Sequence, residues 1–95
     1  MAITSLTAAS SNADATSYTT ASVVPIANAL ILVAVCNSKA TSPANTPTLS
    51  GNSLTYVQVA TVTFDNIATP IQRITLFRAM GAAPSSGAIT IDFAG

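Results

Sequence analysis

The stretch Ala88-Ile-Thr-Ile-Asp-Phe93 carries the clearest strand pattern in this sequence of 95 residues. Ile89, Ile91 and Phe93 share one parity, and the polar residues between them share the other. Successive side chains of a β-strand point to opposite faces, so this alternation predicts a strand with one buried face. We therefore expect Ile89 to point into the core.

The preceding segments favour strands as well. In residues 71–80, Ile74, Leu76 and Met80 form the apolar face, while Arg73, Thr75 and Phe77 lie on the other. In residues 56–64 the apolar parity switches near Ala60-Thr61, which indicates a β-bulge or a strand that crosses between sheets.

Earlier strands are predicted from apolar runs. Residues 29–36 are continuously apolar, which predicts a central strand covered on both faces. Residues 19–26 predict a further strand ending near Pro25, at an edge or a strand end because proline cannot donate to a ladder. Residues 3–8 predict a short first strand.

Turn-forming residues separate these segments. Ser50-Gly-Asn-Ser53 predicts a tight turn in which Gly51 or Asn52 adopts a positive φ. The spacing leaves no room for crossover helices. The sequence thus predicts an all-β fold: one antiparallel β-sandwich or jelly-roll-like domain over residues 1–95, with about six or seven short strands. The alternative for residues 1–16 is an extended N-terminal arm outside the sandwich.

Composition excludes several classes of function. The chain has six formal charges and no net charge, with no His, no Glu, no Trp and a single Cys. Acid–base catalysis, a zinc site and phosphate neutralisation all need residues that are scarce or missing. We expect no catalytic residue, no cofactor, no metal, no nucleic acid partner and no enzyme activity.

Membrane insertion and secretion are not expected either. The longest apolar run, residues 29–36, is too short for a membrane-spanning helix, which needs about 20 residues. The first residues have no basic start and no long apolar stretch, so no signal peptide is predicted. We therefore expect a soluble protein that is made in the cytoplasm.

Isolated polar residues have ordinary structural interpretations. Asp65 lies in a turn signature and Asp92 on the outward parity of a strand, which favours these roles over a carboxylate pair for glycoside hydrolysis. Asp14 lacks the ligand spacing of a calcium loop. Cys36 ends the most apolar strand and is predicted to be inert core filler. Arg73 and Asp92 are a predicted ion pair on neighbouring strands.

Two polar loops are candidate interaction sites. They cover residues 37–47 and 65–70, and their candidate contact residues are Lys39, Asn45, Asp65 and Asn66. An alternative is carbohydrate stacking on Tyr18, Tyr56 and Phe64. The low number of charged residues has two explanations: the surface is covered by neighbours in an assembly, or it is hydrated by Ser and Thr hydroxyls.

Most of the chain from about Ser17 onward resembles a known module. The residues that carry the likeness are Ser50-Gly-Asn-Ser-Leu-Thr-Tyr-Val-Gln-Val-Ala60, the stretch from Arg73-Ile-Thr-Leu-Phe-Arg-Ala-Met to Ile-Thr-Ile-Asp-Phe93, and Ser17-Tyr-Thr-Thr-Ala-Ser-Val. They resemble a β-sandwich module of tailed-phage structural proteins and prophage-encoded proteins. Tyr56 stands where such modules commonly have Trp, and more sheet usually follows the strand that ends at Phe93.

The resemblance implies a virion structural protein. It favours a capsid decoration (cement) subunit, with a tail or fibre component or a carbohydrate or cell-surface binding module as alternatives. The implied partners are other virion proteins, a major capsid or tail protein, and further copies of the chain in a homo-oligomer, with a trimer as one form. A strand from a neighbour could complete the sheet.

Overall fold

A computed structural model describes residues 3–39, 44–64 and 71–93. Its six strands form two antiparallel three-stranded sheets, and the described residues contain no helix. The strands are β1 (Ser17–Thr19), β2 (Ile31–Ser38), β3 (Thr48–Ser50), β4 (Val57–Phe64), β5 (Gln72–Ala79) and β6 (Thr90–Asp92). The predicted all-β fold class is confirmed, with an architecture consistent with a small β-sandwich.

The short strands form one sheet and the long strands form the other. The first sheet has the order β1-β6-β3 and the second the order β2-β5-β4. We call them the short sheet and the long sheet. The connection from β5 to β6 therefore passes from one sheet to the other. β3 was not predicted, because only three residues separate Pro47 from the turn at Gly51.

The predicted parity of β6 is confirmed. Ile89, immediately before the strand, is 4% exposed, whereas Asp92 is exposed. The core next to β6 is built from strand residues and from residues of the connecting segments. Its buried apolar members are Val23, Ile31, Val35, Ala44, Phe77, Ala79 and Ile89.

The predicted apolar face of β5 is the exposed one, and Thr75, Phe77 and Ala79 point into the core instead. Thr75 is fully buried, and its hydroxyl lies 2.9 Å from the Thr61 Oγ1, so this buried polar group is satisfied. The structure therefore buries the face that carries Thr75, Phe77 and Ala79, and it leaves Ile74 exposed and Leu76 half-buried on the other face.

The prediction for β2 was also wrong. Its only partner among the described residues is β5, so β2 is an edge strand rather than a central one. Ile31 and Val35 are buried, while Leu32, Ala34 and Cys36 on the opposite parity are exposed. Cys36 is consequently not core filler.

Two predicted strands near the N terminus are not formed as expected. Residues 3–16 contain no strand, so the expected strand over residues 3–8 is wrong. Of residues 19–26, only Thr19 belongs to a strand, as the last residue of β1. Val23 makes an isolated antiparallel bridge to Gly87, with N–H to oxygen distances of 2.9 and 3.1 Å.

The irregular backbone positions agree with the sequence. The register between β4 and β5 shifts between Gln58 and Ala60, next to the predicted bulge. In the turn after β3, Gly51 and Asn52 both have positive φ, at 122° and 61°. β4 and β5 are antiparallel neighbours, as a hairpin requires; the connecting residues 65–70 lie outside the described part.

Candidate interaction surface

The long sheet has an outer face on which apolar side chains from three strands lie in rows. The register places Cys36 beside Ile74 and Ile74 beside Val62, and it places Ala34 beside Leu76 and Leu76 beside Ala60. Directly paired residues lie on the same face of a sheet. This outer face consists of Leu32, Ala34, Cys36, Ser38, Gln72, Ile74, Leu76, Arg78, Val57, Ala60, Val62 and Phe64.

Large aliphatic side chains on this face are open to solvent. Leu32 is 60% exposed, Val62 58% and Ile74 42%. Complete burial of such a side chain is worth about 1.5–3 kcal/mol. β5 thus leaves Ile74 exposed and Leu76 half-buried on this face, while it buries Thr75, Phe77 and Ala79 on the other.

The outer face is comparable in size to the largest apolar patch of a typical monomeric protein. Three strands spaced about 4.8 Å apart and eight residues long at about 3.3 Å each cover on the order of 380 Å². Leu30 and Met80 extend the apolar area beyond the strand ends, each 59% exposed. The largest apolar patch on a typical monomer is about 300–600 Å² and is often functional.

Charge is almost missing from the outer face. Arg78 is its one charged member, and it pairs with Leu32 and Val57 at the end of the sheet. The rest of the face has only the polar Ser38 and Gln72. An apolar and shape-matched partner suits this surface better than a charged ligand.

The predicted contact residues of the first loop lie at the base of β2. Lys39 is exposed, and its N–H donates to the Ile71 carbonyl at 2.9 Å. Asn45 is half-buried: its Nδ2 donates to the Phe93 carbonyl at 3.0 Å, and its own carbonyl accepts from Asn37 Nδ2 at 2.9 Å. Asn45 therefore joins the sheets. Asp65 and Asn66 lie outside the described residues.

Arg73 and Asp92 lie on strands of different sheets, so the expectation that their strands are neighbours is wrong. The Arg73 guanidinium donates to the Ala44 carbonyl at 2.7 Å and to Thr61 Oγ1 at 2.8 Å. Those bonds fasten the residues before β3 to the long sheet. The ion pair with Asp92 stays a prediction.

The two tyrosines serve the fold rather than a flat stacking platform. Tyr18 meets Phe93 edge to face, with ring centroids 5.6 Å apart at 76°, and its hydroxyl donates to the Ala13 carbonyl. The Tyr56 hydroxyl donates to Asn52 Oδ1 at 2.9 Å. Burial raises the pKa of Tyr56 above its ordinary value.

Other site classes find no support in the part of the chain that is described. Residues 3–39, 44–64 and 71–93 hold no cluster of three or more His, Cys, Asp or Glu that could bind a metal ion. Over the same ranges, no helix is long and apolar enough to cross a membrane.

The chain matches no protein-family model, and comparisons with curated proteins and with solved structures find no match. The outer face of the long sheet is therefore the candidate functional surface of the protein. Sequence reasoning missed it because it treated the more apolar parity of β5 as core.

Proposed function

We propose that this protein is a non-enzymatic structural subunit of a tailed-phage virion, a capsid decoration protein that stabilises the shell through protein–protein contacts. The observation that carries the proposal is the exposed apolar outer face of the long sheet. A subunit that is covered by neighbours can leave such a face open within its own chain.

Composition supports the same proposal. Three cations and three anions in 95 residues give a surface with little repulsion between copies. An isolated soluble protein usually relies on net charge to prevent association. The sequence resemblance to phage structural modules supplies the class of assembly, and its other members, tail and fibre components, are the alternative location.

Carbohydrate binding is the weaker alternative. Tyr18 is held edge-on by Phe93, and the Tyr56 hydroxyl is bonded to Asn52. A stacking site needs an open aromatic face. Phe64, 38% exposed, lies at the end of the outer face and is paired with Gln72.

Labelling of intact particles tests the proposal. Antibodies raised against the recombinant chain would be applied to purified particles of the phage whose genome carries the coding sequence, and the gold label located by electron microscopy. We expect regular labelling of the capsid surface and a copy number that scales with capsomers. Label confined to the tail supports the alternative location.

A matched pair of variants links the label to the surface. Ile74→Lys places a charge on the outer face, whereas Thr48→Lys places the same charge on an exposed residue of the short sheet. We expect only the first to prevent incorporation into particles. Absence of the wild-type chain from purified particles, with binding to a glycan array, would refute the proposal.

A further inference from the structure

The four strands at the edges of the two sheets differ in how well they are protected against pairing with another chain. Natural proteins protect sheet edges with short strands, bulges, prolines and charges. β1 and β3 are three residues long, and β4 carries the bulge between Gln58 and Ala60. β2 has eight residues in unbroken register with β5 and contains no charged residue and no proline. It is the unprotected edge among the described strands.

The backbone groups that β2 offers can be identified from the register. The Lys39 N–H donates to the carbonyl of Ile71, the residue opposite it, so these two form a hydrogen-bonded pair. Such pairs alternate along an antiparallel ladder. The odd-numbered residues of β2 therefore bond to β5. The N–H and C=O groups that point away from the sheet belong to Leu32, Ala34, Cys36 and Ser38.

We infer that β2 pairs antiparallel with β2 of a second copy, forming a continuous six-stranded sheet across a two-fold axis. An antiparallel edge is complementary to itself, because the axis exchanges donors and acceptors between the two strands. A register centred on Val35 sets Ala34 against Cys36 of the second copy and Leu32 against its Ser38. All four outward-pointing residues are then used, giving about eight backbone hydrogen bonds.

Side-chain chemistry favours a second copy as the occupant. β2 itself is uncharged, so this register sets no like charges against each other. The side chains of the four residues lie on the outer face, so the pairing joins two apolar faces into one surface. With about 380 Å² from each copy, that surface is on the order of 760 Å², close to the roughly 800 Å² per partner of a standard interface. The pair would thus present a surface large enough for a further stable contact.

The inference rests on the proposed function only in treating the chain as an assembly subunit. It adds a defined symmetry and a defined edge. Analytical ultracentrifugation of the full chain from about 1 µM to about 1 mM is the first measurement, since that range spans binding free energies of about −8 to −4 kcal/mol. We expect a monomer–dimer equilibrium; a monomer throughout, or a trimer, would overturn the inference.

Two proline variants locate the contact. Ala34→Pro removes an N–H that points away from β5, so it blocks edge pairing and leaves the internal ladder intact. The control is Thr63→Pro on β4. The backbone of Arg73 forms its hydrogen bonds with Asn37 on β2. Its pairing with Thr63 on β4 is therefore not hydrogen-bonded, and the Thr63 N–H points away from β5. We expect the first to raise the dimer dissociation constant at least tenfold and the second to leave it within about twofold.

Two further variants separate the other modes of association. Ala60→Lys puts a charge beside Leu76 on the outer face, in the same row as Ala34 but at the opposite edge. If the dimer forms by stacking of outer faces, this variant dissociates it, and the inference is wrong. The pair Ile3→Asp and Leu6→Asp tests pairing by the exposed N-terminal residues, and dissociation there would likewise overturn the inference.

Amide hydrogen exchange reads the edge directly and reports folding. In the wild-type dimer we expect slow exchange at Leu32, Cys36 and Ser38, and in Ala34→Pro fast exchange at all three. Val33 and Val35 bond to β5 and should stay protected in both proteins. If their protection is lost, Ala34→Lys replaces the proline variant and is read in the same way. Fast exchange at the edge in wild-type protein at about 1 mM would overturn the inference.

The two proposals fail in different experiments. A chain that is monomeric in solution but labels capsids regularly would contradict the β2 pairing and leave the virion role standing. A chain that dimerises through β2 but is missing from particles would contradict the virion role and leave the pairing standing.

Discussion

Asn52 is the residue that holds three separate parts of the chain together. It is 5% exposed at a positive φ of 61°, and its Nδ2 donates to the carbonyls of Ser85 and Gly87 at 3.0 Å each. Its Oδ1 accepts from the Tyr56 hydroxyl at 2.9 Å. The turn before β4 is thereby fixed to the connection that precedes β6. Sequence predicted the turn but not the buried amide, because the partner carbonyls lie more than thirty residues away.

Replacement of Tyr56 tests this network through its pH dependence. Burial raises the pKa of Tyr56 above the ordinary value of 10.0, so the folded state keeps the neutral phenol more firmly than the unfolded chain does. The resulting stability is fully present below about pH 10 and is lost as pH rises through the raised pKa. We expect the free energy of unfolding to fall over that range, and the fall to be smaller in Tyr56→Phe.

Urea unfolding between about pH 8 and pH 11 measures the difference. At neutral pH the variant should lose about 1 kcal/mol, the contribution of one hydrogen bond. Equal slopes in both proteins above pH 10 would contradict the assignment.

Ile89, immediately before β6, has the parity that points into the core. Ile89 is 4% exposed, so Ile89→Asp places a carboxylate at a buried position that holds an apolar side chain, which costs several kcal/mol. A domain of this length has a total stability of about 5–14 kcal/mol. We expect loss of the cooperative thermal transition in circular dichroism. Ile3→Asp, at a side chain 98% exposed, is the control and should melt like the wild type.

Among the elements, those with strict alternation were predictable and those with apolar residues on both parities were not. β6 has polar residues on one face, so its buried face followed from the sequence. β5 has Ile74 and Leu76 on one parity and Phe77 on the other, and hydrophobicity ranks the wrong face first. Which face is buried depends on the position of the second sheet, a long-range property that local periodicity does not contain. The outer face became visible only in three dimensions for the same reason.

β2 shows a related limit. A run of eight apolar or small residues fits both a central strand and an edge strand with one open face, and only the sheet order decides between them. The prediction assumed that apolar residues are covered within their own chain. An assembly subunit need not satisfy that assumption.

The turn between β3 and β4 supplies a prediction at the level of elements. A Cβ added to Gly51 would lie 2.7 Å from the Ala88 carbonyl oxygen, and the residue has a φ of +122°. Gly51→Ala therefore combines backbone strain with a collision against the backbone before Ile89. Gly87→Ala is a matched control, because Gly87 has a φ of +151° with open space around the added atom.

We expect Gly87→Ala to cost about 1–3 kcal/mol, the usual strain of such a conformation, and Gly51→Ala to cost more. Chemical denaturation of both variants provides the comparison. Equal losses of unfolding free energy in the two variants would show that the backbone at Gly51 shifts to accept the added Cβ. The close approach to Ala88 would then not hold the turn against the short sheet.

At the level of the whole molecule, scarcity of charge and exposure of apolar area belong together. A net charge of zero from six charged residues leaves little long-range repulsion between copies, while the outer face supplies the attraction. Both observations favour a chain whose surface is completed by neighbours.

This combination predicts how association responds to salt. Interactions between exposed charges are screened over a Debye length that falls from about 10 Å at 0.1 M to about 3 Å at 1 M. Apolar burial and backbone hydrogen bonds depend little on that screening, and sulfate strengthens apolar burial by exclusion from the surface. We therefore expect sodium chloride between about 0.1 M and 1 M to leave self-association unchanged, and sodium sulfate to increase it. Sedimentation at fixed protein concentration measures both. Dissociation by sodium chloride would instead mean that the few charged residues, such as Lys39 at the end of β2, hold the copies together.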